Sequence, residues 1–278
     1  LDSGGSCANA IATLGRLGAQ AIYCGHVGDD EMGHLYAGLM TEACGSHALR
    51  FTSQAPTGKC LSIISAKDAE RTMVTDLGAA IRLPELGDFG QIIDKSRVVH
   101  FTGYTLLDDP MRQVVLEAME RASQMGAKIS IDAADPFVIL LIKDLLWDLL
   151  ERYADIFFLN AEEAQKLTDE PEEKAIFTIA ERAGVDTVVV KLGAKGSLIL
   201  HQGQLHRIAV HPVKAVDTTG AGDTYAGGYL YGVISGWDVP RSGRLASIVA
   251  AMTVGQIGAV VKNDDMLKEA ISMAQNDR

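Results

Sequence analysis

Positive charge is scarce in this chain of 278 residues: 25 Lys and Arg stand against 36 Asp and Glu, a formal net charge of −11. So acidic a surface repels phosphate backbones and argues against sequence-independent nucleic-acid binding. Long apolar runs are missing too. Phe137–Ile142 stops at Lys143, far short of the roughly 18 residues that a membrane-spanning helix needs. Only four cysteines occur, Cys7, Cys24, Cys44 and Cys60, never closer than 16 positions. That spacing suits neither a CxxC zinc or redox site nor a small disulfide scaffold, and reads as reduced thiols. There is no HExxH and no GxGxxG, and the one Gly-Lys pair, Gly58-Lys59, lacks the upstream glycine of a P-loop. These absences argue against zincin, standard dinucleotide and P-loop sites. With no charged segment followed by an apolar one at the start, the expected location is cytoplasmic.

What is present is a repeating alternation. Short apolar runs at Ala21–Cys24, Val98–Phe101, Lys128–Asp132, Asp155–Leu159 and Thr187–Lys191 read as strands. Between them lie helical patterns at Glu31–Ala43, Met111–Met125, Val138–Tyr153 and Glu172–Ala183. Such alternation implies an α/β fold, a doubly wound parallel sheet covered on both faces, with ligands at the carboxyl ends of the strands. Lys59–Ser65 and Arg71–Asp76, joined by a polar turn at Ala66–Glu70, read instead as a β-hairpin outside that sheet. After Gly220 the chain reads as helical at Thr224–Ser235, Arg241–Val254 and Asp264–Ala274.

The strongest chemical signal is Asp217-Thr218-Thr219-Gly220-Ala221-Gly222-Asp223. A strand-like approach at Val213–Val216 runs into a glycine turn and then a helix. Unpaired N–H groups of the first helical turn, together with the helix dipole, make an anion site there. Asp223 beside it reads as the acceptor of a substrate hydroxyl proton, or as a helix N-cap. Near the start, Gly4-Gly5-Ser6-Cys7-Ala8-Asn9 opens a helix closing at Gly18. Adjacent glycines let backbone N–H groups meet a ligand, and Asn9 both donates and accepts; a plain loop satisfies the same residues.

Gly4-Gly5 with Asn9 and Gly15-x-x-Gly18, followed some 200 residues later by Asp217–Asp223, resembles the two signatures of the ribokinase (PfkB) family of carbohydrate and nucleoside kinases. The resemblance spans essentially the whole chain. It implies a ribokinase-like three-layer α/β/α domain over residues 1–278, with a small β-sheet lid contributed by residues 48–77, including Thr57-Gly58-Lys59. It implies ATP and Mg2+ as cofactors. Asp223 would be the catalytic base, the N–H groups of Gly220, Ala221 and Gly222 the anion hole, and Gly4, Gly5 and Asn9 the substrate contacts. Asn160 and Glu163 of Asn160-Ala161-Glu162-Glu163 match the element that orients magnesium through water; a dipole-favoured helix start is the plainer reading. Lys191-Leu192-Gly193-Ala194-Lys195-Gly196 resembles the turn lining the nucleotide, with Gly193 and Gly196 its glycines; an ordinary hairpin turn satisfies the same residues. Where the family usually has Thr or Ser, Lys191 either reaches a phosphate or is solvated. Asp217 and Thr219 match a monovalent-cation position, so K+ is a further candidate.

On substrate, Gly-Gly-Ser-Cys-Ala-Asn with Arg71-Thr72-Met73 and Leu77-Gly78-Ala79-Ala80 looks most like the adenosine-kinase-like branch. Adenosine and a free sugar (fructose, ribose or 2-keto-3-deoxygluconate) both stay open, as does a non-catalytic metabolite-binding homologue. Phe101, Tyr104 and Phe137 are the aromatics that can stack on a base or serve as packing. The expected partners are a small-molecule sugar or nucleoside and a second copy through the lid, with no nucleic acid or membrane. Three residues precede Gly4, where the family carries a first strand and an acidic substrate contact. A further N-terminal segment of roughly 30–50 residues, pairing with the marginal two-stranded flap, is expected.

Overall fold

A strand that is apolar at successive positions must bury both faces, and Ile156–Asn160 does so: Phe157 and Leu159 join one core, Ile156 and Phe158 another. The structure, a computed structural model, describes residues 2–64 and 71–276. The chain starts with α1 (Ser6–Arg16), β1 (Cys24–Gly28), α2 (Glu31–Cys44) and β2 (Ala48–Thr52). A hairpin of β3 (Lys59–Ile64) and β4 (Arg71–Asp76) follows, then the short α3 (Phe89–Ile93). Strands and helices then alternate through β5 (Val98–Thr102), α4 (Met111–Gln124), β6 (Lys128–Asp132), α5 (Pro136–Tyr153) and β7 (Ile156–Asn160). Helices α6 (Ala161–Thr168) and α7 (Glu172–Ala183) precede β8 (Thr187–Lys191), β9 (Ser197–His201) and β10 (Gln204–Ile208). Helices α8 (Ala221–Ile234), α9 (Val239–Val254) and α10 (Asp264–Asn276) come last.

The main sheet runs in the order β10-β9-β8-β7-β6-β5. Strands β5 to β8 are parallel, as the alternation predicts. Helices α4 to α7 pack on one face, and α1, α8 and α9 on the other. This is the expected three-layer α/β/α architecture. It puts Asp132, Asn160 and Lys191 side by side at the carboxyl ends of β6, β7 and β8. Among the described residues, no helix is long and apolar enough to cross a membrane.

Four readings change. The all-parallel sheet is mixed, because β9 returns antiparallel to β8 through a tight turn, and β10 antiparallel to β9. The first strand is Cys24–Gly28 rather than Ala21–Cys24; Gly25 and Gly28 interrupt its apolar run and hide it. Strand β2, also unread, pairs in parallel with β1 in a separate two-stranded sheet and not with the hairpin. Val213–Val216 is not a strand: both valines are exposed, and the segment is held by Val216 and Asp217 N–H groups donating to Val254 O. The hairpin itself forms, with Lys59 opposite Asp76 and Leu61 opposite Val74. Its turn at Ala66–Glu70, with Ser65, lies outside the described residues.

Candidate active site

The glycine turn before α8 is built by close backbone approach. Gly220 adopts φ 74°, and a Cβ there would fall 2.4 Å from Ala259 O, so only glycine fits. Asp217 secures the turn: its Oδ1 accepts from Thr219 N (2.9 Å) and Oγ1 (2.5 Å), and its Oδ2 from Gly258 N (3.2 Å). Thr224 N–H closes back on Gly220 O, and Ala221 N–H bends to Thr218 O at 3.3 Å. The Ala221 donor is thus partly spent within the turn. Among the described residues, no protein acceptor meets the N–H groups of Gly222 and Asp223, which remain for an anion.

Asp223 is no N-cap: Gly220 holds that position, with no side-chain cap. Its Oδ2 instead accepts from Asn9 Nδ2 at 2.8 Å, tying α8 to the buried first half of α1. Burial, the largest influence, lifts the Asp223 carboxyl from 3.8 to about 6; the Asn9 bond opposes it, Asp132 adds to it, and Lys191 and Ser6 oppose it. The other amide atom, Asn9 Oδ1, is buried with no partner, an open acceptor for a hydroxyl. Gly5 caps α1 with φ 103°, and Gly4 O accepts from Tyr36 Oη at 2.9 Å, so both glycines lie within five residues of Asn9 at the start of the same helix.

At the strand ends, Lys191 Nζ donates to Asp132 Oδ2 at 2.8 Å. Lys191 is therefore not a solvated side chain. Asn160 and Glu163 form a reciprocal cap of α6: Glu163 N–H donates to Asn160 Oδ1, while the two Glu163 oxygens accept from Asn160 N–H (2.7 Å) and Nδ2 (2.6 Å). Burial, first, pushes the Glu163 carboxyl above its ordinary range, while Lys191 draws it down. With both oxygens engaged, this pair fits a magnesium ion held through its water shell better than by direct ligation. Among the described residues, no group of three His, Cys, Asp or Glu could hold a metal ion directly.

The Gly193–Gly196 turn joins β8 to β9, with Leu192 N–H donating to Gly196 O. Gly196, at φ 87°, packs its α-carbon against Ile208 O, so that glycine already has a structural reason. Thr57 fixes the base of the hairpin: its N–H and Oγ1 donate to Asp30, whose carboxyl these bonds hold down at about 2. Of the aromatics, Phe101 is core. Tyr104 (45% exposed) and Phe137 (62%) instead flank Asp135, which accepts from Tyr104 Oη at 3.5 Å and Phe137 N–H at 2.7 Å.

Sequence reading missed Asp132, Asp135 and Asp30. Asp132 had a usable signal, an acid ending an apolar parallel strand beside the ligand edge. The sequence profile of the pfkB family of carbohydrate kinases matches residues 1–266. A protein of Arabidopsis thaliana named probable fructokinase-4 is 27% identical over 278 residues, covering 92% of this chain and 83% of that protein. The crystal structure of adenosine kinase from Sinorhizobium meliloti superposes with TM-score 0.86 and 27% identity, covering 98% of this chain and 82% of that one. An E. coli protein provisionally named ribokinase II, in complex with ATP and Mg2+, shares the fold with TM-score 0.87 at 22% identity, covering 97% and 88%.

Proposed function

We propose, from the premise that this chain belongs to the pfkB family of carbohydrate kinases, that it phosphorylates a primary hydroxyl of a sugar or of a nucleoside's ribose, adenosine first. It is an ATP-dependent phosphotransferase. The observation that carries the reading is Asp223, held by Asn9 at the open N–H groups of a glycine turn. Gly4, Gly5 and Asn9 hold the acceptor. Its oxygen bonds to the γ-phosphorus as the bond to the β-γ bridging oxygen breaks, ADP departs, and the hydroxyl proton passes to Asp223. The anion turn of Gly220, Ala221 and Gly222 stabilises charge on the phosphoryl group. Asn160 and Glu163 would hold a magnesium ion through its water shell, and the ion would supply positive charge to the ATP phosphates. Gly193 and Gly196 line the nucleotide, and Asp217 with Thr219 takes a monovalent cation such as K+.

A single kinase domain carries this chemistry, and residues 48–77 contribute a lid that excludes water. Leu61, Ile63, Met73 and Val74 are exposed on the hairpin, which favours a lid-to-lid homodimer. Tyr104 and Phe137, exposed on either side of Asp135, favour an acceptor that carries a base. The free-sugar reading draws support from the likeness to the Arabidopsis fructokinase. An ATP-consumption screen over adenosine, inosine, ribose, fructose and 2-keto-3-deoxygluconate decides between them. Turnover with none of these acceptors would favour a metabolite-binding homologue.

A further inference from the structure

We infer that Lys191, anchored by Asp132, is the protein cation that neutralises the transferring phosphoryl group. The inference rests on the kinase reading above. Lys191 is the last residue of β8, in register with Asn160, so its backbone position is the ligand edge of the sheet. Its ammonium then reaches across toward α8: a Cβ on Gly222 would lie 3.1 Å from Nζ, so the charge rests against the anion turn itself. The side chain is 15% exposed and that of Asp132 8%, which leaves a narrow opening toward a ligand.

Donor arithmetic points the same way. An ammonium has three N–H donors. Asp132 Oδ2 takes one, and among the described residues no second protein acceptor lies within reach. The remaining donors are available to phosphoryl oxygens. Burial works against the charged ammonium, but Asp132 and Glu163 outweigh it and hold it above its ordinary range. Among the described residues no other basic side chain pairs with Asp132, Glu163 or Asp223. A phosphoryl group entering among those carboxylates therefore meets one fixed protein cation. Fold stability is a poor reason for it, since a buried pair often does no better than apolar residues of similar volume. Asp132 acts through Lys191: its second oxygen accepts from Ala134 N–H at 2.9 Å, so the anchor is itself oriented.

The test separates a strut from a charge carrier. Lys191→Met alone leaves Asp132 buried without its partner, so the informative variant is Lys191→Met with Asp132→Asn, which removes both charges. Lys191→Gln with Asp132→Asn is the second pair, should the first not fold. We expect either folded pair to bind ADP within about threefold of wild type, to lose tenfold or more in affinity for the non-hydrolysable analogue AMP-PNP, and to lose roughly 10²-fold in kcat. Asp132→Asn alone keeps the cation and should lose less than tenfold in AMP-PNP affinity. A double variant that matches wild type in AMP-PNP affinity and kcat would overturn the inference and leave a structural strut. Wild-type protein that binds neither nucleotide would overturn the kinase reading beneath it.

Discussion

Asn9 Nδ2 and Asp223 Oδ2 meet at 2.8 Å across 214 residues of sequence, joining the start of α1 to the first turn of α8. The bond favours the ionised carboxylate and so works against burial, which raises it. Asn9→Ala should shift the acid limb of kcat/KM upward and lower kcat/KM at neutral pH by roughly 10- to 100-fold. A variant that lost substrate affinity but kept the acid limb unmoved would show Asn9 to be a substrate contact only. The pH profile is the measurement to make.

Asp223 itself should set that limb. Its carboxyl titrates at about 6 in the fold, so kcat/KM should fall below about pH 6 as the base becomes protonated. Asp223→Asn should cost ~10²–10⁴ in kcat, or roughly 3–5.5 kcal/mol of transition-state stabilisation, with ATP binding nearly intact. The same substitution should make the fold more stable at pH 7. A raised carboxyl contributes its stability in full below its unfolded value of 3.8, and this contribution is lost as pH rises through about 6. More than about a tenth of wild-type kcat in the variant would exclude Asp223 as the base.

Residues near one another in sequence made most of the fold legible. Strands β5 to β8 and their helices show as apolar runs and helical spacings, because each is buried by its own side chains. The glycine turn was legible as a turn because Gly220, at φ 74° against Ala259 O, admits no side chain. Strand β1 escaped because Gly25 and Gly28 break its apolar alternation, whereas the hairpin-turn reading of Lys191–Gly196 is borne out by the antiparallel pairing of β8 with β9. Lys191 was undecidable for a different reason: whether it is solvated depends on Asp132, 59 residues away on another strand. A pair of that kind exists only once the sheet order is known.

His100, in the middle of β5, carries the opposite sign from Asp223. Burial, first, depresses it from 6.5 to about 4; Asp132 pulls it back up and Lys191 adds to the depression. Its Nδ1 lies 2.9 Å from Ser130 Oγ, and its ring meets Phe158 edge-on. The fold therefore holds a neutral imidazole that the unfolded chain would protonate. Stability from this group is full above pH 6.5 and falls away as pH drops toward about 4, by up to about 3 kcal/mol. Asp223 works the other way over much of that range, so the difference between wild type and His100→Gln is the quantity to follow. Equal acid dependence in both proteins, measured by denaturant titration at a series of pH values, would rule the histidine out.

Ala134 sits at φ 79°, left-handed backbone in a residue other than glycine, between Asp132 and Asp135. A side chain there meets the neighbouring carbonyl at a cost of roughly 1–2 kcal/mol. What holds it is local: Ala134 N–H donates to Asp132 Oδ1, and Asp135 caps α5 by accepting from Phe137 N–H. Ala134→Gly removes the clash but adds about 0.5–1 kcal/mol of backbone entropy to the unfolded chain. The balance should leave the variant up to about 1 kcal/mol more stable, read as a higher denaturant midpoint with an unchanged slope. Because the same turn orients Asp132, and through it Lys191, the extra backbone freedom should lower kcat while the midpoint rises. A variant that is less stable than wild type would mean that Ala134 is not strained, and that the turn is set by the aspartate hydrogen bonds alone.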